Sequence, residues 1–467
     1  MKKVIFTIKH TALAGVLSLS ALYATSLKAQ TLEEAVAQAL DTHPDIQQAF
    51  ARFKVKEEEV YRANANYLPT VDLTAGYGYE YTDSPGRRRS SLGFDDGKTE
   101  LERGEFGINI RQMLFDGFFS ENELDRTLSE ANAEQWMLMS TAEDLALEVS
   151  KSYLNNLKMQ QLITLAEDNI KMHREIYAQI KERIDSGIGS IADLSQVEGR
   201  LARAESNLIA ARNNALDMRA QFIHLTNMAP ENLQMPVPDA AMLPKDLESG
   251  LTSAVSLHPV IKSAQREIDA ARFLKHTVKA SYYPTITFEF GASSDNDLDG
   301  EHGLNRFGPD VGGHRNEISA MVRLKYNLFS GGKDQARERR AAYIVDQAME
   351  TNEAAYRRVS ESYRLAWNAY EMLGKQKNYL EQHVLSAKAT QLAYKEQFNL
   401  GQRSLLDLLD SERELFQARQ DYLDAEFDEV SARYRLLNVT GQLLGALRVT
   451  PSAAWQGEHN YSGRAGL

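Results

Sequence analysis

Two stretches of the chain set an acidic residue three places after a serine: Ser190-Ile191-Ala192-Asp193 and Ser404-Leu405-Leu406-Asp407. That spacing marks a helix start, where the hydroxyl satisfies a free backbone amide and the carboxylate complements the positive end of the helix dipole. Capping accounts for Asp193 and Asp407. It does not account for Asp410, one turn further along the same face as Asp407, although a solvated surface would. A third acidic group, Asp295, Asp297, Asp299 and Gly300, matches the first half of a calcium loop, but the twelfth position is Arg306 where a bidentate glutamate is needed. A surface loop is expected there. His302 and His314 fall in the same stretch without the spacing of metal ligands on a rigid element. The run Arg87-Arg88-Arg89 reads as a solvated charge cluster that could touch lipopolysaccharide. No nucleophile motif, zinc motif or phosphate loop occurs, so no enzyme, cofactor or metal centre is expected.

The elements that hold these residues belong to an exported chain. Lys2, Lys3 and Lys9 precede an apolar run from Thr11 to Ala24, and small residues then lead to Ala29, the pattern of a signal peptide over residues 1–29. Its loss would remove these three lysines and Lys28, taking the formal charge from -12 to -16. So acidic a chain is a poor ligand for nucleic acid, whose phosphates are held by Lys and Arg. Cysteine is absent, which leaves no disulfide framework, thiolate site or lipid-bearing cysteine. Beyond the leader no stretch approaches the roughly 18 apolar residues of a transmembrane helix, so any membrane crossing must be a closed barrel.

The chain is duplicated. His43-Pro44 recurs as His258-Pro259, and Tyr67-Leu68-Pro69-Thr70 as Tyr282-Tyr283-Pro284-Thr285, both 215 residues on. Leu114-Phe115-Asp116-Gly117 recurs as Leu328-Phe329-Ser330-Gly331 at 214, as do Gly187, Ser190, Asp193 and Leu194 in Gly401, Ser404, Asp407 and Leu408. An offset of 214–215 held over so many positions means two copies of one fold. The first repeat spans 30–228 and the second 247–447, joined by a Pro-rich linker at 229–246, with a loosely ordered tail expected at 448–467.

Each repeat has the same order of parts. A helical segment (Thr31 to Asn66; Leu247 to Ser281) ends before a proline. Strict alternation follows: Val71, Leu73, Ala75, Tyr77, Tyr79 and Tyr81 are separated by polar residues and glycine, the mark of a strand with one greasy and one wet face. A second such strand runs through Phe106, Ile108, Ile110 and Leu114, and the other repeat supplies a pair around Ile286, Phe288 and Phe290 and from Ile318 to Leu328. Then come long helical runs, Phe118 to Asp185 and Lys333 to Asn399, each roughly 100 Å at the helical rise. Leu124, Leu128, Ala131, Gln135, Leu138, Ala142, Leu145 and Val149 trace a coiled-coil seam along the first. Shorter helices return, Ile191 to Asn227 and Leu405 to Leu447. Two short helices laid end to end match one long one, which implies a rod of long and stacked short helices.

Four antiparallel strands with one apolar face cannot close a barrel alone, and open edges are not tolerated in lipid. Two chains would give eight strands and a lumen filled by side chains, whereas three would give twelve and a pore. The wet face, with Glu80, Glu105, Arg111, Glu289, Arg323 and Lys325, is expected to line it. The expected fold is α+β: an antiparallel helical coiled-coil barrel continued by a β-barrel that trimerisation completes, four strands per chain. A structural or adhesive rod without transport is the competing reading. A simple diffusion porin would not need so long a helical extension.

The order of repeats, the Leu-Pro-Thr and Tyr-Pro-Thr strings, the Leu-Phe-Asp-Gly and Leu-Phe-Ser-Gly-Gly junctions, and the segment from Phe398 to Asp410 resemble the TolC family of outer-membrane efflux and secretion proteins, over almost the whole mature chain. The resemblance implies a homotrimer in outer-membrane lipid with a tunnel into the periplasm, opened by docking to an inner-membrane transporter and its periplasmic adaptor. Lack of cysteine fits the non-lipidated branch, and the type I secretion side is favoured within it. By the same resemblance Asp407 and Asp410 form carboxylate rings at the narrowest point, where crowding of like charge would raise proton affinity and favour cations. Asp193, Arg403 and the aromatic at Phe398 would hold the entrance closed. Phe398 stands where the family usually has tyrosine, so a hydroxyl hydrogen bond is lost there. An Arg403–Asp193 pair is expected.

Overall fold

The computed structural model describes residues 29–83, 98–300 and 313–457. Residues 1–28 of the expected leader, the arginines at 87–89, His302 and Arg306 lie outside the described residues. The first repeat runs α1 (Leu32–Thr42), α2 (Pro44–Asn64), β1 (Thr70–Asp83), β2 (Lys98–Phe115), α3 (Phe119–Asp185) and α4 (Ile191–Thr226). The second follows as α5 (Leu247–Leu257), α6 (Pro259–Lys279), β3 (Thr285–Gly300), β4 (Gly313–Lys325), α7 (Lys333–Asn399) and α8 (Leu405–Val439), and then a four-residue helix, α9 (Leu443–Ala446).

The repeated histidine–proline pair breaks each leading helix in two, where a single helix was expected. Proline suits the first helical position because its missing N–H would be unsatisfied there anyway. The preceding histidine is the cap: His43 Nδ1 accepts the Asp45 amide and His258 Nδ1 the Val260 amide, both at 3.2 Å. Burial lowers the proton affinity of His258, which keeps that ring able to accept.

The strand-to-helix junctions are equally specific. Asp116 accepts the amides of Phe119 and Ser120, each at 2.9 Å, and so caps α3. Gly117 has φ +73°, and a Cβ there would sit 2.7 Å from the Ala280 carbonyl oxygen and from Tyr283 Cβ. In the second repeat the Ser330 hydroxyl accepts the Asp334 amide at 3.4 Å.

α3 and α7 are 67 residues each, about 100 Å. α4 folds back along one half of α3, while α2 and α6 pack along the other; α7 pairs with α8, and further up with α6 and α5. The expected seam is real: Ala131, Gln135, Leu138, Ala142, Leu145 and Val149 are all buried. α8 was expected to run to Leu447 but stops at Val439. Gly441 takes φ +67° and a hydrogen-bonded helix end forms, with Gln442 N donating to Leu437 O at 2.9 Å. The break lets Gly441 lie against Pro259, whose Cδ would be 3.0 Å from an added Cβ.

Where the halves of the rod meet, Leu32, Val36, Phe53, Leu138, Val149, Tyr153, Phe222 and Leu437 share one buried core. The linker is strapped across it. Leu233 bridges Gln30, and the Tyr153 hydroxyl lies 2.7 Å from Gln30 O and 2.9 Å from Gln234 N. Burial pushes the Tyr153 phenol up to about 12. A loose tail was expected over 448–467; residues 458–467 lie outside the described residues, and residues 448–457 are packed. Trp455 is buried against α3, and Gln135 Nε2 donates to the carbonyls of Trp455 (2.7 Å) and Gln456 (3.0 Å).

The strands form one antiparallel sheet in the order β1-β2-β3-β4. β3 continues to Gly300, paired with β2, so Asp295, Asp297 and Asp299 are strand positions, not the expected loop, and His314 belongs to β4. The extended ladder satisfies those backbone groups in a way no isolated acidic loop would.

Candidate functional site

Register assigns the two faces of the sheet. Val71 pairs with Ile110, Leu73 with Ile108, Ile110 with Phe290 and Phe290 with Ala320, so apolar residues form one continuous face. Val71, Leu73, Tyr77, Tyr79, Phe106, Ile318 and Val322 on it are exposed in the single chain, as a lipid-facing surface requires. The opposite face carries Asp72, Glu80, Glu105, Arg111, Glu289, Arg323 and Lys325, one residue out of phase with the first. Five of these charges are paired: Glu80, Glu105, Arg111, Glu289 and Arg323. Arg103 reaches Glu80 at 2.8 Å, Glu105 at 3.1 Å and Asp295 at 3.4 Å, while Glu289 is shared by Arg323 at 3.1 Å and Arg111 at 3.5 Å. Arg103 and Asp295 were missed in the sequence, one inside a charged run that reads as loop, the other inside the apparent calcium half-loop. Among the described residues no group of three or more His, Asp or Glu could hold a metal ion, and no helix is long and apolar enough to cross a membrane.

At the far end of the rod the tips of α3, α4, α7 and α8 converge. Both turns have the same build: Gly187 (φ +78°) and Gly401 (φ +74°) terminate the long helices, with Ile188 N donating to Arg183 O at 3.0 Å and Gln402 N to Gln397 O at 2.9 Å. The returning helices start on serine. Ser404 and Asp407 form a reciprocal capping box, the Asp407 amide donating to Ser404 Oγ at 3.2 Å. Ser190 accepts instead from Ala192 N at 3.2 Å, so the Asp193 carboxylate takes no part in such a box.

The side chains expected at the entrance are all at this tip, but not all in the expected contacts. Arg403 lies over the Tyr394 ring (4.1 Å), donates from Nε to Gln397 Oε1 at 2.9 Å, and has Nη1 3.8 Å from Asp407. Within the chain it is held by its own helix end and not by Asp193. Phe398 is 3 % exposed, packed with Ile176, Ile180, Val197, Leu405, Leu408 and Leu409. The Arg183 guanidinium stands over its ring at 4.4 Å, so Phe398, expected among the contacts that hold the entrance closed, packs in the core of the tip. Asp410 has two basic neighbours, Arg200 of α4 at 3.3 Å and Arg413 at 3.8 Å. Arg200 was missed because its partner lies 210 residues away, and no local pattern announces that pairing.

The family model described as Outer membrane efflux protein matches residues 35–227 and 251–442, one match in each repeat. The chain is 24 % identical over 450 residues to the outer membrane efflux protein BepC of Brucella suis, covering 96 % of this chain and 94 % of that one. It is 25 % identical over 428 residues to the outer membrane protein TolC of Vibrio cholerae, covering 89 % and 91 %. Among solved structures, the CmeC outer membrane channel of Campylobacter jejuni superposes over 98 % of both chains with a TM-score of 0.76 at 14 % identity, which shows the fold. A duplicated helical rod carrying a two-faced sheet, matched in both repeats, places this chain in the outer membrane efflux protein family.

Proposed function

We propose that three copies of this chain close side by side into an export duct that crosses the outer membrane and extends into the periplasm. The observation that carries this reading is that both layers of the protomer are open at the same two flanks. The sheet ends at β1 and β4. The helical layer runs from α2 and α4 through α3 to α6 and α8 and ends at α7, so β1 continues the α2 flank and β4 the α7 flank. Each flank bears an exposed apolar stripe of seven-residue period: Ile209, Leu216 and Ile223 on α4, and Leu365, Met372 and Tyr379 on α7. Equal periods allow one seam, and a neighbouring copy seated α7 to α4 and β4 to β1 covers stripes and strand edges together. Three copies give twelve strands, enough for a water-filled lumen lined by Glu80, Glu105, Arg111, Glu289, Arg323 and Lys325.

At the helical end, Asp407 and Asp410 are the proposed constriction. Asp193 on the α4 flank and Arg403 at the end of α7 are the proposed contact between copies, with Phe398 supporting them from within the tip. An inner-membrane transporter and a periplasmic adaptor are the partners proposed there. The test is ion conductance of the purified protein in a planar bilayer. A defined channel is expected, and Asp407→Ala with Asp410→Ala should lower its preference for cations. Inserted trimers that pass no current in either form would favour a structural rod instead.

A further inference from the structure

The linker strap closes on the residue at which the leader expected over 1–29 ends. With a cut after Ala29, Gln30 is the first residue of the exported chain. A new chain end is ordinarily left in solvent, where its charge is hydrated. Gln30 is instead 7 % exposed and held from several sides. Its backbone oxygen accepts the Tyr153 hydroxyl at 2.7 Å and the Gln234 amide at 3.3 Å, and its side-chain Oε1 accepts the Glu231 amide at 3.2 Å. The Glu231 N–H fixes which way the side-chain amide points, because only the oxygen accepts. That orientation leaves Nε2 buried without a hydrogen-bond partner among the described residues.

Two costs therefore meet in one residue. The α-amino group of a chain end ordinarily titrates at about 7.7–8.0, so at neutral pH it would bring an ammonium into the strap, where a buried charge needs a partner. Glu34 of α1 is already engaged, accepting the Thr31 amide at 3.5 Å in the capping box. The second cost is the amide nitrogen Nε2, a donor with nothing to donate to.

One reaction removes both. We infer that Gln30 is a modification site: the exported chain begins with its leader cut after Ala29 and its first residue closed to pyroglutamate, a neutral end enclosed by the strap. The unprotonated α-amino nitrogen of Gln30 attacks its own side-chain carbonyl carbon, Cδ. The N–Cδ bond forms, the Cδ–Nε2 bond breaks, and Nε2 leaves as ammonia with the proton that the attacking nitrogen gives up. The five-membered lactam that results has neither the ammonium nor the unpartnered amide nitrogen, and no oxidant, metal or second substrate enters. Attacking and attacked atoms belong to one residue, so closure has the advantage of an intramolecular reaction and takes place while the end is still free of the strap. Folding then encloses the product. The backbone oxygen that receives Tyr153 and Gln234 is untouched by the ring.

The test is the intact mass, by electrospray, of the full-length gene product purified from the outer membrane, for the unaltered protein and for Gln30→Asn, whose shorter side chain could close only a strained four-membered ring. The unaltered protein should have the mass of residues 30–467 less one ammonia. Gln30→Asn should have the full mass of its own sequence from residue 30. Stepwise degradation from the amino end should be blocked in the unaltered protein, and should read from Thr31 once the denatured chain has been treated with a pyroglutamyl peptidase. Mass is read on denatured chains, so a variant that fails to assemble still answers. A full-mass chain that starts at Gln30 would overturn the ring while leaving the cut. A chain that starts at any other residue would overturn both. A loss of ammonia that persists in Gln30→Asn would place the reaction at another amide and overturn the assignment to Gln30.

Discussion

Glu143 of α3 shows how much a single side chain decides in this protein. It is 5 % exposed and accepts the amides of Leu443 at 3.1 Å and Leu444 at 3.3 Å, so it holds the first turn of α9 against the rod. Burial outweighs those hydrogen bonds and pushes its carboxyl up to about 7. A carboxyl with a folded-state value above its unfolded one binds its proton more tightly when folded. Its penalty is therefore absent below about 4.5 and complete above about 7, on the order of 3 kcal/mol at most. Urea unfolding should show stability falling as pH rises through that window, and Glu143→Gln should flatten the slope. A slope unchanged in the variant would assign it elsewhere, Asp144 with its raised affinity being the next group to try. Gly117 is the other decisive position. Gly117→Ala combines a left-handed backbone with a clash against the Ala280 carbonyl and should cost about 2 kcal/mol or more, read as a lowered Tm.

Elements carry the assembly, and there the expectation is sharper. Leu216→Asp on α4 or Met372→Asp on α7 should leave helix content by circular dichroism intact, because both side chains are exposed in the protomer. Each should shift the protein from trimer to monomer in size-exclusion chromatography, since a charge in an apolar seam is left without a partner. Much of this level was legible in the sequence. A residue period near 3.5 set the long helices almost to the residue, and a period of two found all four strands and their apolar faces but missed the outer parts of β2, β3 and β4. What stayed hidden was set by contacts across the chain. α8 stops at Val439 because Gly441 packs on Pro259, a meeting of residues 182 apart. Asp295 looks like a loop residue until β2 and Arg103 lie beside it. Phe398 was expected among the contacts that hold the entrance closed, and only the four converging tips show that it points into the core. Periodicity reports which face of an element is buried, not which neighbour covers it.

At the scale of the whole molecule, the two repeats are copies in sequence but not in burial. Tyr153 on α3 anchors a strap and a broad core, whereas α7 keeps more of its surface uncovered for a neighbour. Trp455→Ala should cost about 3 kcal/mol or more in urea unfolding, because the indole closes one side of that core. A loss below about 1 kcal/mol would mean the segment at 448–457 merely rests on α3. The same region sets an order in time. Gln30 is held by Leu233 and Gln234, Gln135 by Trp455, and Glu143 by Leu443, so early parts of the chain wait for partners made hundreds of residues later. Neither repeat can finish alone while the chain is being threaded out of the cell interior. The middle of the rod therefore acts as a completeness check: a chain interrupted before residue 443 leaves Gln135 and Glu143 of α3 without their partners before it can join two others in a membrane.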